Sequence, residues 1–69
     1  MAAVNILLNG ETREVPDEIK LEQLLDLFSL PKQRVAIELN GAVVRRADWH
    51  ETLVNKGDKI EVVHFVGGG

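Results

Sequence analysis

Cysteine is absent from this chain of 69 residues. That excludes a disulfide frame, a zinc or iron–sulfur site built on thiolates, and a thiol nucleophile. The chain must hold itself together by packing alone. At this size only about 60% of the unfolded surface can be buried, so modest stability is expected. No long apolar run occurs, so no membrane span is expected. The start, "MAAVNILLNGETREV", lacks a basic region followed by an apolar stretch, so it does not read as a secretory signal. Without disulfides or a signal, a cytoplasmic location is expected. Basic residues are too few for a nucleic-acid footprint: 8 stand against 11 acidic ones, for a net charge of −3. A mildly acidic surface suits a protein partner with a basic face.

Catalytic patterns are missing as well. No G-x-x-x-x-G-K-[ST] loop occurs, and the glycines at positions 10, 41 and 57 read as turn glycines. His50 and His64 are the only histidines, and nothing at metal-ligand spacing accompanies either. They read as ordinary structural residues. Ser29, the only serine, has no nucleophile setting. "DEIKLEQ" and "NKGDKIE" read as a solvated face and a turn. Trp49, the only tryptophan, reads as a satellite core residue capping a sheet. The chain is therefore expected not to be an enzyme and to bind no cofactor of its own.

What is present has a clear rhythm. Val4, Ile6 and Leu8 alternate with Asn5, Leu7 and Asn9, the period of a strand with one buried face. Asn9-Gly10 is a strong tight-turn signal, and a short strand over residues 12–15 returns to Pro16. In "IKLEQLLDLFSLP", Leu21, Leu24, Leu25 and Phe28 form one stripe of a helix, which Pro31 ends. Its start carries no Ser, Thr or Asp cap; Lys20 stands there instead. "RVAIELNGAVV" repeats the hairpin theme around Asn40-Gly41. "RRADWHETLV" is irregular, and "IEVVHFV" is a last strand rich in β-branched residues.

Two hairpins separated by one helix predict an α+β fold, a mixed sheet of four to five strands with the helix on one face. The first and last strands should lie parallel at the centre, joined by a right-handed path. That is a β-grasp, or ubiquitin-like, architecture. One domain over residues 1–66 is expected, monomeric when free, with a flexible glycine tail at 67–69.

The tail draws the functional argument. Glycine has the most backbone freedom to lose and adds no packing, so Gly67, Gly68 and Gly69 do not serve the fold. They make a thin rod ending in a carboxylate, able to enter a channel too narrow for any side chain. A carboxylate is a poor electrophile and needs activation, most simply as an acyl-adenylate made from ATP by a separate protein. An amine would then give a protein conjugate, and a sulfur donor would give a thiocarboxylate on Gly69. A frayed terminus on a β-grasp binding module is the bland alternative.

The strand beside the tail suggests a docking surface. If Ile60 and Val62 face the helix, Val63 and Phe65 lie on the open face, and Leu7 of the neighbouring strand joins them. The competing expectation is that these three pack under Trp49 and the irregular segment.

Taken together, "VNILLNGETREV", "LEQLLDLF", "VRRADW", the run "LVNKGDKIEVV" and the terminal glycines resemble the ThiS family of sulfur carriers in thiamine biosynthesis. The likeness spans nearly the whole chain. MoaD-type carriers of molybdopterin synthesis are the next resemblance. The ThiS likeness implies a β-grasp fold and a modified residue at Gly69, with Gly68 as the penultimate glycine of the motif. It also implies three partners. A ThiF-type enzyme would adenylate Gly69 using ATP and magnesium. A sulfur donor such as a cysteine desulfurase would supply the sulfur. A ThiG-type thiazole synthase would receive it.

Overall fold

The computed structural model describes residues 2–65. The expected tail, Gly67, Gly68 and Gly69, and the last residue of the expected domain, Val66, lie outside the described residues. The chain opens with β1 (Ala3–Leu8) and β2 (Glu11–Pro16), an antiparallel hairpin. Between them Asn9 and Gly10 both take positive φ, 51° and 81°, the turn whose twist matches that of the flanking strands. A second hairpin, β3 (Val35–Leu39) and β4 (Ala42–Val44), turns on Asn40 and Gly41 in the same way. β5 (Lys59–His64) enters between the hairpins. The strand order is β2-β1-β5-β3-β4. β5 runs parallel to β1 and antiparallel to β3. This is the β-grasp arrangement, with five strands.

The helix α1 (Leu21–Leu27) lies across one face of the sheet. Leu21, Leu24 and Leu25 are fully buried and join Ile6, Leu8, Val15, Val35, Ile37 and Ile60 in one core. Lys20 gives no side-chain cap, and the structure shows why none is needed. The first backbone N–H groups of a helix lack partners within it. Here Leu21 and Glu22 donate to the carbonyls of Thr52 and Trp49, at 3.0 and 3.2 Å. Gln23 Oε1 accepts from the Lys20 N–H at 3.0 Å. The segment that the sequence left irregular thus serves as the helix cap. At the other end the N–H of Leu30 reaches the Leu25 carbonyl and that of Ser29 reaches Asp26. Ser29 adopts φ 55°, a position usually taken by glycine.

Trp49 follows a short 3-10 turn, Arg46–Asp48. Only 3% of it is exposed, and it belongs to the main core rather than to a satellite. Its Nε1 donates to the Val44 carbonyl at 3.0 Å, and the Arg46 guanidinium lies 4.5 Å from the ring centroid. The indole ties the crossover segment to β4. No helix among the described residues is long and apolar enough to cross a membrane.

Candidate functional site: the last strand and the open sheet face

β5 is the strand that leads toward the glycines, and both hairpin turns hold it. Asn9 donates its backbone N–H to the Ile60 carbonyl at 2.9 Å, and its side-chain Oδ1 accepts from the Val62 N–H at 2.8 Å. Asn40 acts likewise from the other side. Its N–H reaches the Lys59 carbonyl at 2.7 Å and its Oδ1 accepts from the Lys59 N–H at 2.9 Å. Its Nδ2 also donates to Asp58 Oδ1, whose other oxygen accepts from the Asn55 N–H. An asparagine suits both roles, because it tolerates positive φ and carries an acceptor on a short arm. Each Asn-Gly pair is a turn and a clamp at once.

The alternation along β5 sorts its side chains. Ile60 is buried and Val62 packs against the core. Val63 lies on the opposite, open face and is 49% exposed; Phe65, just past the strand, is 53% exposed, and Leu7 on β1 is 40% exposed. None of the three belongs to the core around Trp49, so the structure does not bury them beneath the irregular segment. Phe65 stays in register with β3, because its N–H donates to the Arg34 carbonyl at 2.9 Å.

The register alters one expectation. Leu7 pairs with Lys59, not with the end of β5. Val63 stands four residues further along the neighbouring strand, so it lies about 14 Å from Leu7 on the sheet lattice. Leu7 shares the open face with Val63 and Phe65 but does not touch them as one patch. Its lateral neighbours are Lys59 and, on β2, Thr12. Ala36 lies beside Val63. Val43, opposite Glu38 on β4, is also exposed and apolar, a contributor that sequence reasoning missed. Its signal was there: it alternates with the inward-facing Val44. Between these apolar points Glu38 and Glu61 face each other directly across the β3–β5 ladder.

The histidines lie apart. His50 is exposed beside Glu51, and His64 is exposed at the end of β5. Among the described residues no group of His, Asp and Glu is placed to hold a metal ion. A groove of about 480 Å³ between Pro16, Ile19 and Leu27 lies at the junction of β2 and α1, remote from Phe65 in the fold.

Similar proteins agree with this architecture. A family model described as the ThiS family matches residues 6–69, from within β1 through the last glycine. The chain belongs to the ThiS family. Its ThiS likeness extends to solved structures. A thiamine biosynthesis protein (ThiS) from Geobacter metallireducens superposes with a TM-score of 0.85 at 32% identity, covering 96% of this chain and all of that one. The sulfur carrier protein ThiS of Bacillus subtilis is 35% identical over 63 residues, covering 90% of this chain and 96% of that protein. The thiazole synthase of Paramagnetospirillum magneticum is 35% identical over 66 residues, 96% of this chain. The chain spans about a fifth of that protein's length: the match covers 20% of it.

Proposed function

We propose that this protein is a sulfur carrier of thiamine biosynthesis, a co-substrate of partner enzymes rather than an enzyme, whose working group is the Gly69 carboxylate. The observation that carries this reading is the family match, which runs through the glycines to residue 69. An exposed apolar surface next to those glycines supports it.

The chemistry balances as follows. The Gly69 carboxylate attacks the α-phosphorus of ATP in a ThiF-type enzyme that holds the magnesium. The bond to the β-phosphate breaks and pyrophosphate leaves. Hydrosulfide, or the terminal sulfur of a persulfide from a cysteine desulfurase, then attacks the acyl carbon. The carbon–oxygen bond to AMP breaks. With hydrosulfide the product is the thiocarboxylate directly. With a persulfide the product is an acyl disulfide. A second thiol then attacks its outer sulfur, breaking the sulfur–sulfur bond to release the thiocarboxylate and leaving a disulfide, which carries the two-electron oxidation. In a ThiG-type thiazole synthase the thiocarboxylate sulfur attacks an electrophilic carbon of the bound acceptor, giving a thioester to Gly69. Water then attacks the acyl carbon and the carbon–sulfur bond breaks. The sulfur stays with the acceptor and the Gly69 carboxylate returns.

The chain's own part is presentation. Gly67 and Gly68 offer no side chain to a narrow channel. Val63 and Phe65 give apolar anchors at the mouth, and buried aromatic anchors carry much of the energy of protein interfaces. Leu7 supplies a separate, weaker contact. The two asparagine clamps hold β5 in place before any partner arrives, so little ordering cost falls on binding. The proposed thiazole synthase partner is supported by relatives of that name that contain a segment like this chain.

Intact mass spectrometry tests the proposal. The protein is incubated with ATP, magnesium, sulfide and a ThiF-type enzyme of demonstrated activity. The expected result is a mass gain equal to replacing one oxygen by sulfur, localised to Gly69. No gain under those conditions would overturn the carrier reading.

A further inference from the structure

β5 outruns its neighbour. On one side it is paired with β3 over five residues, from Val35↔His64 to Leu39↔Ile60. On the other side its ladder with β1 has only two rungs, Leu7↔Lys59 and Leu8↔Ile60, because β1 ends at Leu8. The direction of each backbone group follows from the alternation of the antiparallel ladder. Phe65 donates to Arg34 on the β3 side, so residues 61, 63 and 65 face β3 and residues 60, 62 and 64 face the β1 side, which β1 vacates beyond Ile60. The Val62 N–H confirms this, since it is taken by Asn9 Oδ1. The next groups on that edge are the Val62 carbonyl, the His64 N–H and the His64 carbonyl. Among the described residues none of these three has a hydrogen-bond partner on that side. Val63, His64 and Phe65 beside them are exposed or half-exposed.

An acceptor, a donor and an acceptor in strand spacing form a template for another extended backbone. Asn9 already shows how the slot is filled, since its side-chain amide stands where a sixth strand would place its first acceptor. The edge lies next to the route to Gly69. Four residues follow Phe65, and they span at most about 14 Å when extended. A protein that acts on Gly69 must therefore come close to this edge, and relatives named thiazole synthase hold a segment like this chain within their own length, which favours the synthase as the occupant.

We infer that the β5 edge at residues 62–64 receives an extended segment of the thiazole synthase that accepts the sulfur. That segment adds a strand beside β5 and fixes how far the glycines reach into the acceptor. This rests on the proposed carrier function. Backbone pairing aligns the two chains along the strand direction, which an apolar contact at Phe65 alone would leave loose.

The test compares the free protein with its complex with a ThiG-type thiazole synthase, both intact. In amide exchange followed by NMR, the His64 N–H should slow at least tenfold on complex formation. An unchanged His64 amide in a formed complex would overturn the inference, and this measurement needs no variant to fold. His64→Pro removes only a donor that the fold does not use, and proline is tolerated where the N–H faces outward. It should weaken binding about tenfold, the worth of one backbone hydrogen bond. His64→Ala keeps the N–H and should bind like the native chain. If His64→Pro folds and binds normally while Phe65→Asp does not, the edge inference fails and the carrier function stands. If the native protein takes up sulfur but gives none to the synthase and does not bind it, the partner assignment fails instead.

Discussion

Asn9→Ala is expected to destabilise the domain by about 2 kcal/mol. Two costs combine. Asn9 sits at φ 51°, and an alanine in the left-handed region costs roughly 1 kcal/mol more than an asparagine, which tolerates it. The Val62 N–H loses its acceptor at 2.8 Å. Val62 is half-buried, so water offsets part of that loss and about 1 kcal/mol remains. For a domain of this size, 2 kcal/mol corresponds to a fall in Tm of roughly 8–16 °C. Trp49, the only tryptophan and deeply buried, gives a fluorescence reading of the unfolding transition. Asn9→Asp keeps both the tolerance of positive φ and an acceptor oxygen, and should fall within about 0.5 kcal/mol of the native chain. The same change at position 40 should behave differently. There the new carboxylate would replace an amide that donates to Asp58 at 3.0 Å. Asn40→Asp should therefore cost about 1 kcal/mol or more at neutral pH, and less as the pH falls through the ordinary carboxylate range near about 4. If Asn9→Ala unfolds with the native midpoint, or if the two Asp variants match, the asparagines do not clamp β5.

Ser29→Gly should stabilise the fold by about 0.5–1 kcal/mol, measured by urea denaturation, because it relieves a left-handed residue in the closing turn of α1. Leu24→Ala should cost about 3 kcal/mol in the same assay, since Leu24 is completely buried. Phe65→Asp and Leu7→Asp should each leave stability within about 0.5 kcal/mol but weaken partner binding, Phe65 the more strongly, and their effects should add because the sites lie at least about 14 Å apart. Strong coupling between them in a double-mutant cycle would contradict the register. The Lys32 ammonium is held above its ordinary value by its hydrogen bond to the Asp26 carboxylate, at 2.8 Å. A raised value means that the folded chain keeps this proton longer, so the contribution is present at neutral pH and is lost as alkali titrates Lys32. Asp26→Asn should return Lys32 to the usual lysine range in an NMR titration; an unmoved value would assign the shift to another cause.

The strands, the helix stripe and the parallel central pair could be read from the sequence because each rests on local periodicity and on two Asn-Gly turns. What could not be read depends on distance across the fold. Nothing near Lys20 announces that the carbonyls of Trp49 and Thr52 cap the helix. The positive φ values of Glu18, Ser29 and Arg34 fall on exposed residues with no glycine to signal them. Alternation placed Leu7 on the correct face, yet its separation from Val63 depends on where β1 stops against β5. That is a property of register, which a period of two does not contain. The second role of Asn9 and Asn40 was hidden for the same reason: a turn signal is local, and the strand that it grips lies far along the chain.

The central position of β5 has a consequence for biosynthesis. The strand in the middle of the sheet leaves the ribosome after both hairpins. Until it arrives, the two hairpins have no strand to join them, and the clamps of Asn9 and Asn40 close on nothing. Its pairing with β1 spans some fifty residues of sequence, for example Leu8 with Ile60, so closure is a late, long-range event. A chain broken off before β5 would leave the hairpins unjoined and the core open. Folding thus works as a check on completeness: a nascent chain that stops short of β5 lacks the strand that joins its two hairpins into one sheet.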